Sequence, residues 1–326
     1  MRTERDWSAE ISTLAGHLAE YYMLPEVASQ LGELLRRRLA AGDYRKLPDE
    51  AALADEVTRD LQSVNGDMHL YLEFSEQEIP LGDAPEVDDG PLRAEQAMLS
   101  GHAIARVERL PGNVAVLDIR KFFDPAVAGS GAAAIAAMNL VASADALLLD
   151  LRRNRGGEPD MVTLVSSYLF DGRTHLFDLR FPAAGRELQY WTAPFVPGPA
   201  LGGGKPVYVL TGKLTASAGE AIAYQLQQSG RGTVIGEPTA GGPVFFHYPY
   251  RVSAHLMSAV PSGYPVDPVA GTNWGETGVQ PDIAVPGGDA FEAAYRLALE
   301  QVLLLGDGGA RRRISADARA ALAELS

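Results

Sequence analysis

The chain has 326 residues, of which 46% are hydrophobic and 21% are charged, a composition typical of a globular protein rather than a disordered or fibrous one. Its formal net charge of −14 repels phosphate backbones and anionic lipid headgroups, so we expect neither nucleic acid nor a membrane surface as a partner. The absence of cysteine excludes disulfides, thiolate nucleophiles and cysteine-based metal sites. The amino terminus has no apolar run typical of a secretory signal, and no run approaches the roughly 18 residues of a membrane span, so we expect a cytoplasmic protein.

Three amphipathic patterns open the sequence, each with apolar residues at three- and four-residue steps. The second begins at Pro25, which suits the first turn of a helix, and the third follows Asp49, a candidate helix cap. These patterns predict a small three-helix bundle, which we assign to residues 1–75. The acidic stretch from Gln77 to Gly90 contains proline and glycine and is typical of a linker, so residues 76–102 are predicted to hold a linker with edge elements.

From residue 103 onward, short apolar runs alternate with helical stretches, which predicts an α/β domain with largely parallel strands over residues 103–326. Strands are predicted at Val114–Ile119, Ala146–Leu151, Pro206–Thr211 and Thr233–Gly236, and helices at Gly131–Ala142, Pro159–Phe170, Ala218–Ser229 and Ala290–Leu305. Proline, glycine and aromatic residues between Phe181 and Gly204 predict an irregular excursion, and the basic triplet Arg311–Arg313 predicts a solvated hinge to a short last helix.

Ser217 stands at the turn between a predicted strand and a predicted helix, in the run LTASAGE. Two interpretations fit this position. Ser217 and Glu220 have the spacing of a capping box, in which both side chains satisfy backbone N–H groups at the start of a helix. A serine at a helix start is also a candidate nucleophile, because the N–H groups and the helix dipole favour a developing negative charge. The two roles are compatible.

Three further stretches carry glycine turns; the first two follow predicted strands, and the last adds a carboxylate beside its glycines. They are DLRRNRGG with Gly156 and Gly157, VIGEPTAGG ending at Gly242, and GTNWGETGVQPDI with Glu276. Paired glycines let the backbone turn tightly and aim its N–H groups at one point, although an ordinary glycine turn has the same sequence.

Together, the strings DLRRNRGG, LTASAGE, VIGEPTAGG and GVQPDI resemble the tail-specific or C-terminal-processing serine peptidases, which are related to tricorn protease. The early run DLQSVNGDMHL and the later run PVDPVAGTNW resemble the interphotoreceptor-retinoid-binding-protein-like branch of that family. The resemblance implies a crotonase/ClpP-like β-α core, a nucleophile at Ser217, and an oxyanion hole of backbone N–H groups at Gly156 or Gly157 and at Ala218. It implies no cofactor, and the sequence shows no metal-ligand spacing.

The resemblance also bears on the catalytic base. Processing peptidases carry a lysine near the position of Gly242, and this chain has none there, which leaves Lys213 as the lysine that could replace it. The tricorn-like pattern places a histidine base at His69 and an orienting carboxylate at Glu276, one position later than in the family.

Other interpretations of these residues stay open at this point. His69 also suits a hydrogen-bonded residue at a domain interface, and Asp67, two positions earlier, is a candidate to fix its ring or to cap a turn. Met68 stands where the tricorn pattern has a hydroxyl residue, and His247 is a spare candidate for the base.

The sequence therefore predicts a serine peptidase or hydrolase that cleaves peptide or other acyl bonds with Ser217, His69 and Glu276. The alternative is a catalytically silent module on the same fold that binds an apolar retinoid-like or fatty-acid-like molecule. In either case the expected partner is a peptide or a small acyl or apolar ligand, and we expect a homo-oligomer.

Overall fold

A computed structural model describes residues 5–79, 90–242, 244–246 and 250–325. The chain divides into two compact units. The N-terminal unit comprises Met1–Asp89, Leu179–Leu188 and Val244–Pro265, and the core unit comprises Gly90–Asp178, Gln189–Pro243 and Val266–Ser326.

The helices and strands of the described residues have the following bounds. The helices are α1 (Ser8–Tyr21), α2 (Pro25–Ala41), α3 (Glu50–Asn65), α4 (Gly90–Leu99), α5 (Ser130–Val141), α6 (Pro159–Ser167), α7 (Ala218–Gln228), α8 (Ala290–Leu304) and α9 (Arg311–Glu324). The strands are β1 (Tyr71–Phe74), β2 (Ile104–Leu110), β3 (Val114–Ile119), β4 (Ala146–Asp150), β5 (His175–Phe181), β6 (Arg186–Trp191), β7 (Val207–Thr211), β8 (Thr233–Gly236), β9 (Phe245–Phe246), β10 (Tyr250–Arg251), β11 (Leu256–Ala259), β12 (Pro261–Val266) and β13 (Ile283–Ala284).

Local signals explain where the first three helices begin and end. Pro25 occupies the first turn of α2, and Gly42 ends that helix in the left-handed conformation that glycine adopts without strain. Asp49 caps α3 by accepting a hydrogen bond from the N–H of Ala52. The apolar faces of the three helices form one buried core, so the predicted three-helix bundle is confirmed.

Strands from distant parts of the sequence complete the N-terminal unit. β1, β11 and β10 form an antiparallel sheet, and Leu256 and Val260 are buried in the helical core. β11 pairs with β1, so strands from residue 250 onward join the helices that the sequence-based division assigns to residues 1–75. Short strands of this kind carry little signal of their partner in the sequence.

The core unit is built on a six-stranded sheet with the order β13-β8-β7-β4-β3-β2. All neighbouring strands are parallel except the pair β2 and β3, which is antiparallel. Every residue of β3, β4 and β7 is buried, as expected for parallel strands covered on both faces. The predicted α/β class is confirmed.

Helices cover both faces of this sheet. Residues of α8 and α9 pack on the face that carries Val114, Val116 and Leu148. The alternate residues Leu117 and Ile119 of β3 face α5 and α6, because successive side chains of a strand point in opposite directions. The carboxyl ends of the parallel strands then open into the loops that carry the glycine turns identified in the sequence.

Three local differences from the sequence-based assignment have simple causes. β6 lies within the predicted irregular stretch, because hairpin pairing with β5 makes a strand of residues with mixed exposure. α4 lies in the later part of residues 76–102, which were predicted to hold a linker with edge elements, and residues 80–89 of the predicted linker lie outside the described residues. Arg311–Arg313 form the first turn of α9 rather than a hinge, and Arg311 pairs with Asp145 at 2.8 Å. No helix in the described part of the chain is both long enough and apolar enough to cross a membrane.

Candidate active site

Ser217 lies in the turn between β7 and α7 with φ of +52° and ψ of −120°. A residue with a Cβ atom rarely adopts a positive φ, and such a conformation costs about 1–3 kcal/mol. The preceding residues hold the turn, because the Thr215 hydroxyl donates to the carbonyl of Leu151 at 2.8 Å and accepts the N–H of Gly212 at 3.0 Å. A strained serine between a strand and a helix is the arrangement known as a nucleophile elbow.

The first residue of α7 supplies a free backbone donor beside this serine. The N–H groups of Glu220 and Ala221 donate to the carbonyl of Ser217, but the N–H of Ala218 has no acceptor among the described residues. Free N–H groups in the first turn of a helix carry a partial positive charge and attract anions.

The Gly156–Gly157 turn packs directly against Ser217. A Cβ atom added at Gly156 would lie 2.6 Å from Ser217 Cβ, and one added at Gly157 would lie 2.0 Å from the carbonyl oxygen of Phe122. Both glycines also have positive φ, at 88° and 132°. Only glycine fits at these two positions, so the predicted close approach of this turn to Ser217 is a property of the fold.

The two glycines differ in what their N–H groups do. The N–H of Gly156 donates to the side-chain oxygen of Asn154 at 2.8 Å. The N–H of Gly157 has no acceptor in the described part of the chain. Of the oxyanion-hole donors suggested by the sequence, the free ones are therefore those of Gly157 and Ala218.

Asn154 joins the glycine turn to the serine turn. Its side chain is fully buried, and its Nδ2 donates to the carbonyl of Ile119 at 2.9 Å. Its backbone carbonyl accepts the N–H of Ala216 at 3.0 Å. The sequence analysis did not assign a role to Asn154, although its position two residues before Gly156 was a usable signal.

Glu220 is the buried carboxylate of the site. In the predicted capping box, Glu220 Oε2 accepts the N–H of Ser217 at 2.7 Å, while the N–H of Glu220 donates to the carbonyl of Ser217 at 2.8 Å. Oε1 accepts the hydroxyl of Thr239 and the N–H of Gly241, each at 2.6 Å. Burial raises the pKa of Glu220, opposed by these hydrogen bonds and by the Trp274 indole.

The fourth glycine-rich stretch is hydrogen-bonded to the loop that Glu220 holds. The N–H of Thr239 donates to the carbonyl of Val279 at 3.2 Å, and Val279 N–H donates to the Thr239 hydroxyl at 2.7 Å. Gly242 N–H donates to the carbonyl of Gly275 at 3.2 Å. The structure thus brings together the four stretches that the sequence analysis singled out. Glu276 itself is exposed, and its carboxylate has no hydrogen bond or ion pair among the described residues.

His69 belongs to the N-terminal unit, where a neighbouring carboxylate orients its ring. Asp67 Oδ1 lies 3.1 Å from His69 Nδ1 and accepts the N–H of His69 at 2.9 Å, while Tyr22 donates to Oδ2 at 2.8 Å. Burial alone would raise the pKa of Asp67, but these three hydrogen bonds outweigh it and hold that pKa below its usual range. Asp67 therefore fixes the imidazole, one of the two roles considered for it.

Lys213 and His247 are the other candidates for the base. The side chain of Lys213 is 79% exposed and its Nζ lies 3.5 Å from Glu237, so it lacks the burial that activates a lysine base. His247 lies outside the described residues. Among the residues that the structure describes, no group of three histidine or carboxylate side chains could hold a metal ion.

We expect the change Glu220→Gln to destabilise the core unit by about 1–3 kcal/mol. Both carboxylate oxygens accept hydrogen bonds, whereas an amide has one acceptor and would turn its NH2 group toward a donor. Chemical denaturation measures the change, with Glu300→Gln on the exposed side of α8 as the control. Equal stability of the two variants would contradict the role given to Glu220.

The contact between Gly156 and Ser217 predicts a second loss of stability. Gly156→Ala meets both a positive φ and the Ser217 side chain, whereas the matched control Gly172→Ala has a similar φ of 82° and no atom within 4 Å. We expect the control to cost roughly 1–2 kcal/mol for the backbone strain. Overpacking should cost Gly156→Ala about 1–3 kcal/mol more. Similar denaturation midpoints for the two variants would contradict this expectation and would show that the turn accommodates the added methyl group without disturbing Ser217.

Two family models match this chain. Residues 113–285 match the model of peptidase family S41, and residues 1–107 match the N-terminal domain of family S41 peptidases in eukaryotic IRBP.

Solved structures of similar fold include proteases. A candidate peptidase from Parabacteroides merdae has a TM-score of 0.62 at 17% identity, with 94% of this chain and 99% of that one covered. The photosystem II D1 C-terminal processing protease has a TM-score of 0.57 at 17% identity, with 86% and 94% covered. Mature CPAF has a TM-score of 0.55 at 14% identity, with 95% and 98% covered. The S41 model matches more than half of this chain, so the chain belongs to peptidase family S41.

Proposed function

We propose that this protein is a serine hydrolase that cleaves peptide or other acyl bonds, with Ser217 as the nucleophile and His69 as the general base. The observation that carries the proposal is the position of Ser217. It is held at a strained φ against the Gly156–Gly157 turn, and the N–H groups of Gly157 and Ala218 have no acceptor among the described residues. Membership of family S41 supports peptides as the substrate class.

The chemistry follows from these groups. His69 removes the proton as Ser217 Oγ attacks the acyl carbonyl, and the negative charge that develops on the carbonyl oxygen is stabilised by the N–H groups of Gly157 and Ala218. His69 then returns the proton to the leaving amine. In the second half of the reaction, water attacks the acyl-enzyme while His69 accepts a proton from the water and then returns it to Ser217. The N–H of Gly156 does not bind the oxyanion, because it donates to Asn154 Oδ1. This hydrogen bond instead fixes the turn that carries Gly157.

Two features of the chain favour His69 over a lysine as the base. The lysine of the processing peptidases is missing near Gly242, and Lys213 is exposed and paired. His69, in contrast, has a half-buried ring oriented by Asp67, which is the partner that a histidine base needs to stabilise its protonated form. We therefore propose Asp67 as the orienting carboxylate and treat Glu276, the candidate from the sequence, as the alternative.

A catalytically silent module that binds an apolar ligand requires different features from a hydrolase. Such a module needs an apolar cavity but has no use for a strained serine beside unpaired backbone donors. Backbone strain of this kind persists only where the surrounding structure enforces it, and it occurs most often at active sites. For this reason the site favours a hydrolase over a binding module. A negative result in the next experiment would support the binding module instead.

Labelling with a fluorophosphonate, followed by intact-mass measurement, tests the nucleophile. We expect one adduct per chain on the wild type and none on Ser217→Ala, because the reagent requires an activated serine. His69→Ala should also lose the adduct, whereas Lys213→Ala should keep it. Absence of label on folded wild type would favour the binding module, and loss of label in Lys213→Ala with retention in His69→Ala would overturn the choice of base.

The pH dependence of labelling identifies the orienting carboxylate. Asp67→Asn removes the negative charge beside Nδ1, so protonated His69 is less stabilised and the acid limb of the rate profile should move to lower pH. The matched change Glu276→Gln should leave the limb in place. A shift in Glu276→Gln with none in Asp67→Asn would assign the orienting role to Glu276 instead.

A further inference from the structure

The N-terminal unit contains a cavity of about 260 Å³ lined by three arginines. Arg5 precedes α1, Arg36 lies on α2, and Arg45 lies in the loop that follows α2. Arginines gathered around one space repel each other, and the chain as a whole is strongly acidic. This cluster therefore concentrates positive charge in a chain whose net charge is −14.

The walls of the cavity are fixed although the guanidinium groups are exposed. The N–H of Arg5 donates to the carbonyl of Arg45 at 3.3 Å, which joins the first segment to the loop after α2. Trp7 is buried, and its indole N–H donates to the carbonyl of Tyr44 at 3.1 Å. Arg5 lies over the Trp7 ring with its Cζ atom 5.5 Å from the ring centroid, a favourable cation–π distance.

None of the three arginines forms an ion pair within the described part of the chain. The nearby Arg38 shows the contrast, because it pairs with Asp43, Glu56 and Asp60. Asp6 also lines the cavity, where its Oδ1 accepts the N–H and the hydroxyl of Ser8; these hydrogen bonds and the charge of Arg45 hold the pKa of Asp6 below its usual range. The cavity thus holds three cations and one carboxylate, and the three guanidinium groups have no hydrogen-bond acceptor in the described part of the chain.

We propose that this cavity binds a phosphate group. The excess of two positive charges matches a dianion, and phosphate offers three terminal oxygens to the guanidinium forks where a carboxylate offers two. The first turn of α1 begins at Ser8 on the cavity wall and adds a partial positive charge. The volume exceeds that of phosphate alone and leaves space for the molecule to which a phosphate would be esterified.

This site is independent of the proposed hydrolase, since none of its residues belongs to the groups assigned to catalysis. Its ligand has two possible sources with the same chemistry, namely free inorganic phosphate and a small phosphate monoester. The test therefore uses both, with acetate as a carboxylate of similar size.

Isothermal titration calorimetry at low ionic strength, in a buffer free of phosphate and sulfate, measures binding to the whole chain. We expect saturable binding of inorganic phosphate or glycerol 3-phosphate at one site per chain, and at least about tenfold weaker binding of acetate. Tighter binding of the ester than of inorganic phosphate identifies a phosphorylated molecule as the ligand, and equal or weaker binding of the ester identifies free phosphate.

Three variants locate the binding. Arg36→Gln and Arg45→Gln should each weaken phosphate binding about tenfold, because each removes a charged donor. Arg37→Gln is the matched control, since Arg37 is exposed on the same helix and does not line the cavity. The proposal is overturned if the wild type shows no saturable binding of either phosphate compound, if acetate binds as tightly, or if Arg37→Gln weakens binding as much as the other two.

Discussion

The buried carboxylate of Glu220 is the interaction on which the rest of the candidate site depends. It accepts hydrogen bonds from the backbone of Ser217, from the Thr239 hydroxyl and from the backbone of Gly241. Two loops that follow different strands are thereby tied to one group. An ionised group without a cationic partner is costly in a protein interior, and only full use of its acceptors makes it tolerable. The turn that carries Ser217 is thereby held by hydrogen bonds that do not depend on a substrate.

The oxyanion hole that we propose consists of the two backbone donors to which this hydrogen-bond network assigns no acceptor. Asn154 uses the N–H of Gly156, so the next N–H along the turn, that of Gly157, stays free. At the start of α7 the geometry of the helix leaves the N–H of Ala218 free in the same way. Both donors are fixed by neighbours that are fully hydrogen-bonded, and such preorganised donors need no reorganisation when charge develops on a substrate.

The sequence predicted elements whose signals are local and missed those that depend on distant partners. Apolar periodicity and caps such as Asp49 were sufficient for the described helices other than α4, and the run of small residues after β7 was sufficient to locate Ser217. Periodicity did not reveal that β11 pairs with β1, because register between strands almost 200 residues apart is set by tertiary packing. Nor did spacing distinguish Gly156 from Gly157, since that depends on which N–H the buried Asn154 takes.

The two carboxylates next to the proposed catalytic residues contribute to stability with opposite signs. Burial raises the pKa of Glu220, so the folded state binds its proton more tightly than the unfolded chain does, and its contribution to stability is lost as pH rises through the folded pKa. The pKa of Asp67 is lowered, so its contribution is present above the usual carboxylate range and is lost as pH falls through the folded value. Burial therefore disfavours the ionised form of Glu220 relative to the unfolded chain, whereas ionised Asp67 stabilises the fold while it orients His69. A carboxyl group whose burial opposes its charge must be supported by the surrounding core, which fits the complete burial of β3, β4 and β7 next to this turn.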